Sequence, residues 1–207
     1  KESVLVDLID WASISTEEIA AELAKRDDLL DQSGLMCKAL WDLRVKLHPV
    51  ACVDSIPVRR GESGRTEFGF IIRNTGYYTG RLWASGGVIK YNEFAREALR
   101  RHYRETLGVG IEIVSELPDL NEYPQRDPRK HTPFIGCDPH KHSLSKIYLV
   151  RLCGDVSFVT TSHGGQEAAG LNWFLPENLP ERERFAYEGY DFVYGAVQEN
   201  RDLVLER

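Results

Sequence analysis

A mixed β-sheet flanked by helices, an α/β fold behind a helical N-terminal extension, is predicted by three features of this 207-residue sequence. Helical patterning fills residues 1–47. Strand-like runs separated by Gly-rich turns begin at His48, and a segment free of Gly and Pro, residues 93–107, interrupts them with a helical period. An apolar content of 42% supplies a real core, so the expected organisation is an extension over 1–47 and a sheet domain over 48–207.

In the extension, Ser15 or Thr16 is placed to cap a helix through TEEIAAELAKRDDLL. A second helix follows Gly34 through LMCKALWDLRVKL until Pro49 stops it. The next runs, VACVDSIPV, TEFGFIIRN and RLWASGGVI, read as strands, with turns at 61–64 and 76–80. Asn92 is a good N-cap for the helix over 93–107, and Gly108 suits the left-handed position just past its end. At about 100° per residue, Phe94, Ala95, Ala98, Leu99 and Tyr103 form one apolar arc, while Arg96, Glu97, Arg100 and Arg104 face away. Glu105, His102 and Thr106 are directed into the apolar half. A carboxylate there needs a cation or hydrogen-bond donors; the alternative is an ion pair with Arg101, one turn away.

GIEIVSEL and SLSKIYLVRL read as further strands, VSFVT as a short one, and LNWFLPENL as a strand end running into a turn. RFAYEGYDFVYGAVQENRDL is expected to close the domain as a helix. Between Pro118 and His142 lies a long polar connection, of a length that is usually functional or disordered.

A net charge of −6 argues against life on nucleic-acid backbones. Two basic clusters, Arg59, Arg60 and Arg65, and Arg126, Arg129, Lys130 and His131, are either sites for a compact anion or solvated loops. No apolar run has the length of a membrane span, and KESVLVDLIDW lacks the unbroken apolar core of a signal peptide. The expected compartment is cytoplasmic, with no membrane partner. Cys37, Cys52, Cys137 and Cys153 show no CxxC spacing and read as reduced packing residues.

The stretch from Gly87 to Val109 sets Gly87, Glu93, Arg101, Glu105, Gly108 and Val109 in the spacing of GX5EX7REUXEEXGU, where U is aliphatic. It resembles the box of the Nudix hydrolase superfamily, with His102, Tyr103 and Thr106 replacing Glu, an aliphatic residue and Glu. The order of elements over about residues 48–203 is similar to the Nudix-type α/β/α sandwich. Within the superfamily the chain looks most like the GDP-mannose mannosyl hydrolase branch, which shares a degenerate box, an Asp where Asp54 stands, a WxxxGG approach matching Trp83 to Gly87, and a long loop bearing a base histidine.

The resemblance implies Mg2+ (or Mn2+) held by Glu105 and a backbone carbonyl at Gly86 or Gly87, with Glu167 as a further ligand. Such oxygen donors suit a hard cation that neutralises phosphate charge. Arg101 is implied to orient a box carboxylate. His140 or His142 is expected as general base, being neutral near physiological pH, or else a surface loop residue with Glu167 as the base. Asp54 is a candidate for orienting that histidine or holding a sugar hydroxyl, Arg73 and Trp83 for binding substrate, and Tyr77, Tyr78 and Tyr123 for stacking on a base. Trp173, Phe174 and Pro176 read as structural. The expected function is hydrolysis of a nucleoside diphosphate linked to another moiety, such as a nucleotide sugar. The alternative is an inactive domain that binds a nucleotide or protein partner. The expected partner is a small-molecule nucleotide, with a homodimer allowed.

Overall fold

The computed structural model describes residues 38–76, 78–123, 141–160, 166–188 and 190–205. The helix expected at 16–30 lies outside them, as do Tyr77, His140 and the basic cluster at 126–131. Two compact units divide between Arg44 and Val45. Helix α1, Lys38–Leu47, crosses that division and stops two residues short of Pro49, whose ring disfavours helical backbone in the residue before it.

In the second unit the order is β1 (Val50–Arg60), β2 (Thr66–Arg73), β3 (Leu82–Trp83), β4 (Ser85–Val88), α2 (Ala95–Leu107), β5 (Ile111–Tyr123), β6 (Ser143–Leu152), β7 (Ala168–Phe174) and α3 (Tyr190–Glu199). The sheet is mixed, as expected. Its path is β3-β2-β1-β6-β5, with β4 paired to β1 and β7 to β2. β1 runs parallel to β6 from Val50 opposite Ser143 to Pro57 opposite Val150, and the other pairings are antiparallel.

The two faces of β1 bury different partners. Val53 meets Ala98, Leu99, Tyr103 and Leu107 of α2. Ile56 and Val58 meet Phe68, Phe70, Trp83 and Phe185, together with Val193, Ala196 and Val197 of α3. The sheet therefore has a helix on each side. Each fully buried Leu, Ile or Phe contributes about 1.5–3 kcal/mol. Tyr103 is fully buried, and its phenol shares a 2.8 Å hydrogen bond with the Ser55 hydroxyl, which itself donates to Ser85 O at 3.1 Å. That bond ties helix, β1 and β4 together and satisfies polar groups that are costly to bury alone.

Several expectations are corrected. The box helix starts at Ala95 rather than after Asn92, because Asn92 takes φ 57° and Glu97 accepts the Phe94 N–H at 3.0 Å as the cap. Phe94 then sits ahead of the helix and is 79% exposed instead of joining the apolar arc. RLWASGGVI is two strands, since the chain leaves β2 and pairs with β1 after Trp83. β5 runs on through Pro118 to Tyr123, with a register shift between Glu116 and Leu120. An edge strand with a bulge tolerates a residue that has no N–H to give. VSFVT forms no strand: the N–H groups of Ser157 and Val159 bond instead to the carbonyls of Leu107 and Thr106 at the end of α2. The last helix covers only residues 190–199, after short 3-10 turns and Tyr187 at φ 56°. No helix among the described residues is long and apolar enough to cross a membrane.

Gly108 ends α2 at φ 62° and ψ 20°, and an added Cβ would stand 2.2 Å from Ser157 Oγ and 2.8 Å from Ser157 O. Both the backbone and the packing therefore demand glycine. Gly108→Ala is expected to lower stability by about 1–3 kcal/mol in urea denaturation; an unchanged midpoint would refute the close approach.

Candidate functional site

Arg101 is the hub of the helix's N-terminal half. Its Nε donates to Glu93 Oε1 at 2.7 Å, and its Nη2 donates to Glu93 Oε2 at 2.8 Å and to Val88 O at 3.0 Å. Its Nη1 donates to Glu105 Oε2 at 3.0 Å. Glu93 in turn accepts the Lys90 N–H at 2.9 Å. The segment between β4 and α2 is thus fastened to the helix by paired, charge-assisted bonds. Glu105 takes the alternative open to it in the sequence, the ion pair with Arg101, rather than the inward position. Its side chain is 52% exposed, because Arg101 draws it to the helix edge one turn away.

His102 and Thr106 are the residues that do turn inward. The His102 ring lies against Gly87, where an added Cβ would come within 2.5 Å of Cε1. Its Nε2 is 3.1 Å from Val88 O. Burial, with the charge of Arg101 beside it, holds the His102 imidazole below its ordinary pKa, while the carboxylates Glu167 and Glu105 act in the opposite sense. Gly86 has a second steric reason: a Cβ there would stand 2.0 Å from Val53 O and 2.8 Å from Asp54 Oδ1.

Glu167 reaches the same helix face from the start of β7. Thr106 Oγ1 donates to Glu167 Oε2 at 3.2 Å. The backbone is set by Asn74 N donating to Glu167 O at 2.8 Å. The charges that His102 feels place Glu105 and Glu167 in its neighbourhood.

Behind Gly86, on the opposite face of the sheet, lies a second polar group. Asp54 is opposite Gly86 in the β1–β4 ladder and accepts a 2.5 Å bond from Ser145 Oγ. Desolvation pushes its carboxyl above the usual range against the pull of Ser145, Lys141, His102 and Arg73. Arg73 lies over the Tyr187 ring, 5.3 Å from its centroid. Trp83 meets Tyr187 at 4.9 Å and Tyr123 at 5.8 Å between centroids, and Tyr78 meets Tyr187 at 4.7 Å. Arg73 Nε and the Tyr123 hydroxyl are buried without a hydrogen-bond partner among the described residues. Buried polar atoms left so are uncommon and point to a missing partner.

The structure therefore brings Asp54, Arg73, Trp83 and Tyr123 into one neighbourhood on one face of the sheet, and Glu105, Glu167, Arg101 and Gly87 around His102 on the helix side. His142 Nε2 is 2.8 Å from Glu122 Oε1, at the ends of β5 and β6. Trp173 is structural in its contacts, lying under Arg59 at 4.3 Å and against Gly69. The basic cluster of Arg59, Arg60 and Arg65 is drawn into local bonds to Glu67, Gly64 O and Glu177. Tyr187, Ser145 and Lys141 carried no sequence signal. Tyr187 owes its place to a positive φ that no motif announces.

No three His, Cys, Asp or Glu side chains among the described residues group closely enough to hold a metal ion. The hard oxygens of Glu105 and Glu167 suit a divalent cation, but only one whose remaining coordination comes from elsewhere. Arg101 and Glu93 are each only 15% exposed at the side chain, and Arg101 holds the Glu93 carboxyl below the usual range. A carboxylate with a lowered folded pKa stabilises above its unfolded value, near 4.5, and loses that contribution as pH falls through the folded value. Glu93→Gln is expected to cost about 1–3 kcal/mol at pH 7 and to flatten the decline in stability below pH 4.5. Urea titrations of both proteins across this range check it, and parallel curves would contradict it.

Comparison with solved structures supports the fold. A protein described as a possible asymmetric diadenosine tetraphosphate (Ap(4)A) hydrolase from Jonesia denitrificans is 27% identical, with 78% of this chain and 99% of that chain covered at a TM-score of 0.57. A NUDIX hydrolase from Nitrosomonas europaea is 18% identical over 75% of this chain and 73% of its own, with a TM-score of 0.51. A bifunctional NMN adenylyltransferase/ADP ribose pyrophosphatase from Francisella tularensis, complexed with AMP and an Mn ion, is 14% identical over 78% and 45%, with a TM-score of 0.53. No curated protein matches the chain. With its Nudix-like α/β fold, and with residues 31–188 matched by the family described as "Domain of unknown function (DUF4916)", the chain belongs to that family.

Proposed function

We propose that the chain hydrolyses a nucleoside diphosphate linked to another moiety, with Mg2+ or Mn2+ as cofactor. The observation that carries this reading is the polar group around Asp54, which faces Gly86 in the β1–β4 ladder. A half-buried residue, Asp54, stands with two buried polar atoms that have no hydrogen-bond partner among the described residues, Arg73 Nε and the Tyr123 hydroxyl, across the sheet from the helix that carries Glu105. Such a group suits a ligand with hydroxyl or amide groups whose phosphates reach toward Glu105 and Glu167; Trp83, 4% exposed, packs in the core. The Jonesia protein, described as a possible hydrolase of a dinucleoside polyphosphate, is consistent with that class, and a nucleotide sugar fits it equally.

In this mechanism Asp54 accepts hydrogen bonds from the group attached to the diphosphate, and Arg73 adds positive charge. Arg101 keeps Glu105 at the helix edge and fixes the approach from β4. Glu105 and Glu167 would hold the cation, with Arg101 and Thr106 keeping their carboxylates in place. Once bound, a divalent ion would supply positive charge to neutralise the phosphate oxygens. Glu167, beside the helix, is better placed than His142 for work at phosphorus, whereas attack at the sugar carbon as in the GDP-mannose branch requires a base histidine. Because only two carboxylates are offered and Arg101 competes for one, binding without turnover is the second reading.

The deciding experiment is a screen of nucleotide sugars and dinucleoside polyphosphates with Mg2+, Mn2+ or EDTA. Cation-dependent cleavage is expected, with Glu167→Gln lowering the rate roughly 100- to 1,000-fold and His142→Gln retaining it. Loss of rate in His142→Gln instead would restore the histidine-base mechanism, and nucleotide binding without cleavage would select the second reading.

A further inference from the structure

We propose that Thr106 is a positioning residue: at the box position that lacks its carboxylate, a hydroxyl clamps the Glu167 carboxylate brought in by another element. The inference rests on the cation-assisted reading above.

Thr106 is buried, at 4% exposure, on a helix face whose other buried members are Ala98, Leu99, Tyr103 and Leu107. A hydroxyl in such company is costly unless it is bonded. Helical threonines commonly satisfy it on a carbonyl one turn back. Here the hydroxyl donates instead to Glu167 Oε2, across a gap of sixty-one residues in sequence. The bond uses one acceptor position of one oxygen and leaves the rest of the carboxylate for a ligand.

The main chain on both sides is arranged for this meeting. Val159 N donates to the carbonyl of Thr106 itself, and Ser157 N to that of Leu107. Thr160 bridges to Gln166, whose amide donates to Phe158 O at 3.1 Å. Ala168, next after Glu167, is buried and paired with Arg73. What remained free was the glutamate side chain, with its several rotatable bonds, and the Thr106 hydroxyl restricts it at little cost because the residue that supplies it is already fixed. The Nudix-like spacing puts a glutamate at position 106, whereas this chain divides the task between a donor on the helix and a carboxylate just ahead of β7.

The test reads Mn2+ affinity by electron paramagnetic resonance of the free ion, with α,β-methylene ADP as the probe, on the full chain and on T106V, T106S, E167Q and T106V/E167Q. Valine keeps the shape of threonine and removes only the donor. T106V is expected to weaken Mn2+ binding roughly tenfold, the factor for one hydrogen bond to a charged group, while T106S stays within about twofold of the parent. E167Q should weaken binding at least as much, and the double variant should be no weaker than E167Q alone, since the clamp then has nothing to hold. Parent-like affinity in T106V, or full additivity of the two losses, overturns the positioning role. A parent chain that binds no Mn2+ in the presence of the probe overturns the underlying reading and the clamp with it, a result distinct from either of those.

Discussion

Arg101 is the interaction around which the site is arranged. One guanidinium joins a carboxylate at the helix start, a carboxylate one turn on and a carbonyl at the end of β4. Without it the negative charges of Glu93 and Glu105 would repel each other along one helix edge. Burial disfavours protonation of His102, and the charge of the same Arg101 side chain adds to it. A neutral imidazole can then share the Val88 carbonyl without placing two cations side by side.

Much of the fold was legible because it rests on local rules. Gly108 closes the helix as its chemistry requires, and the strand runs of β1, β2 and β6 follow apolar patterning. The failures occur where tertiary partners override those rules. Asn92 is a good cap in isolation, but the helix starts later and Glu97 caps it by accepting the N–H of Phe94, three residues before it. VSFVT has a strand's composition, yet the unsatisfied carbonyls at the end of α2 take its N–H groups. Pro118 looked like the end of a strand, and only the pairing with β6 shows that the strand continues past it.

The site was legible in its residues and less so in their arrangement. Helical spacing set His102 and Thr106 on the buried side, and for Glu105 the pairing with Arg101 one turn away prevailed over the inward direction of its angular projection. Asp54, Arg73 and Trp83 sit far apart in sequence, and nothing in spacing alone says that Tyr187 lies among them. That proximity is made by the sheet order and by one residue with a positive φ. The Thr106–Glu167 contact depends on the docking of residues 157–160 against the end of α2, which a one-dimensional reading cannot see.

The bulge in β5 bears on assembly. β5 lies at one end of the sheet path, and an open edge with a regular row of donors and acceptors is a template for another chain. Pro118 removes one donor from that row, and the register shift around it breaks the repeat. A strand arriving from a second copy would find the ladder out of step partway along. Continuous sheet extension across this border is therefore discouraged by the backbone itself, and a homodimer, where one forms, is better built from side-chain surfaces than from edge-to-edge pairing at β5.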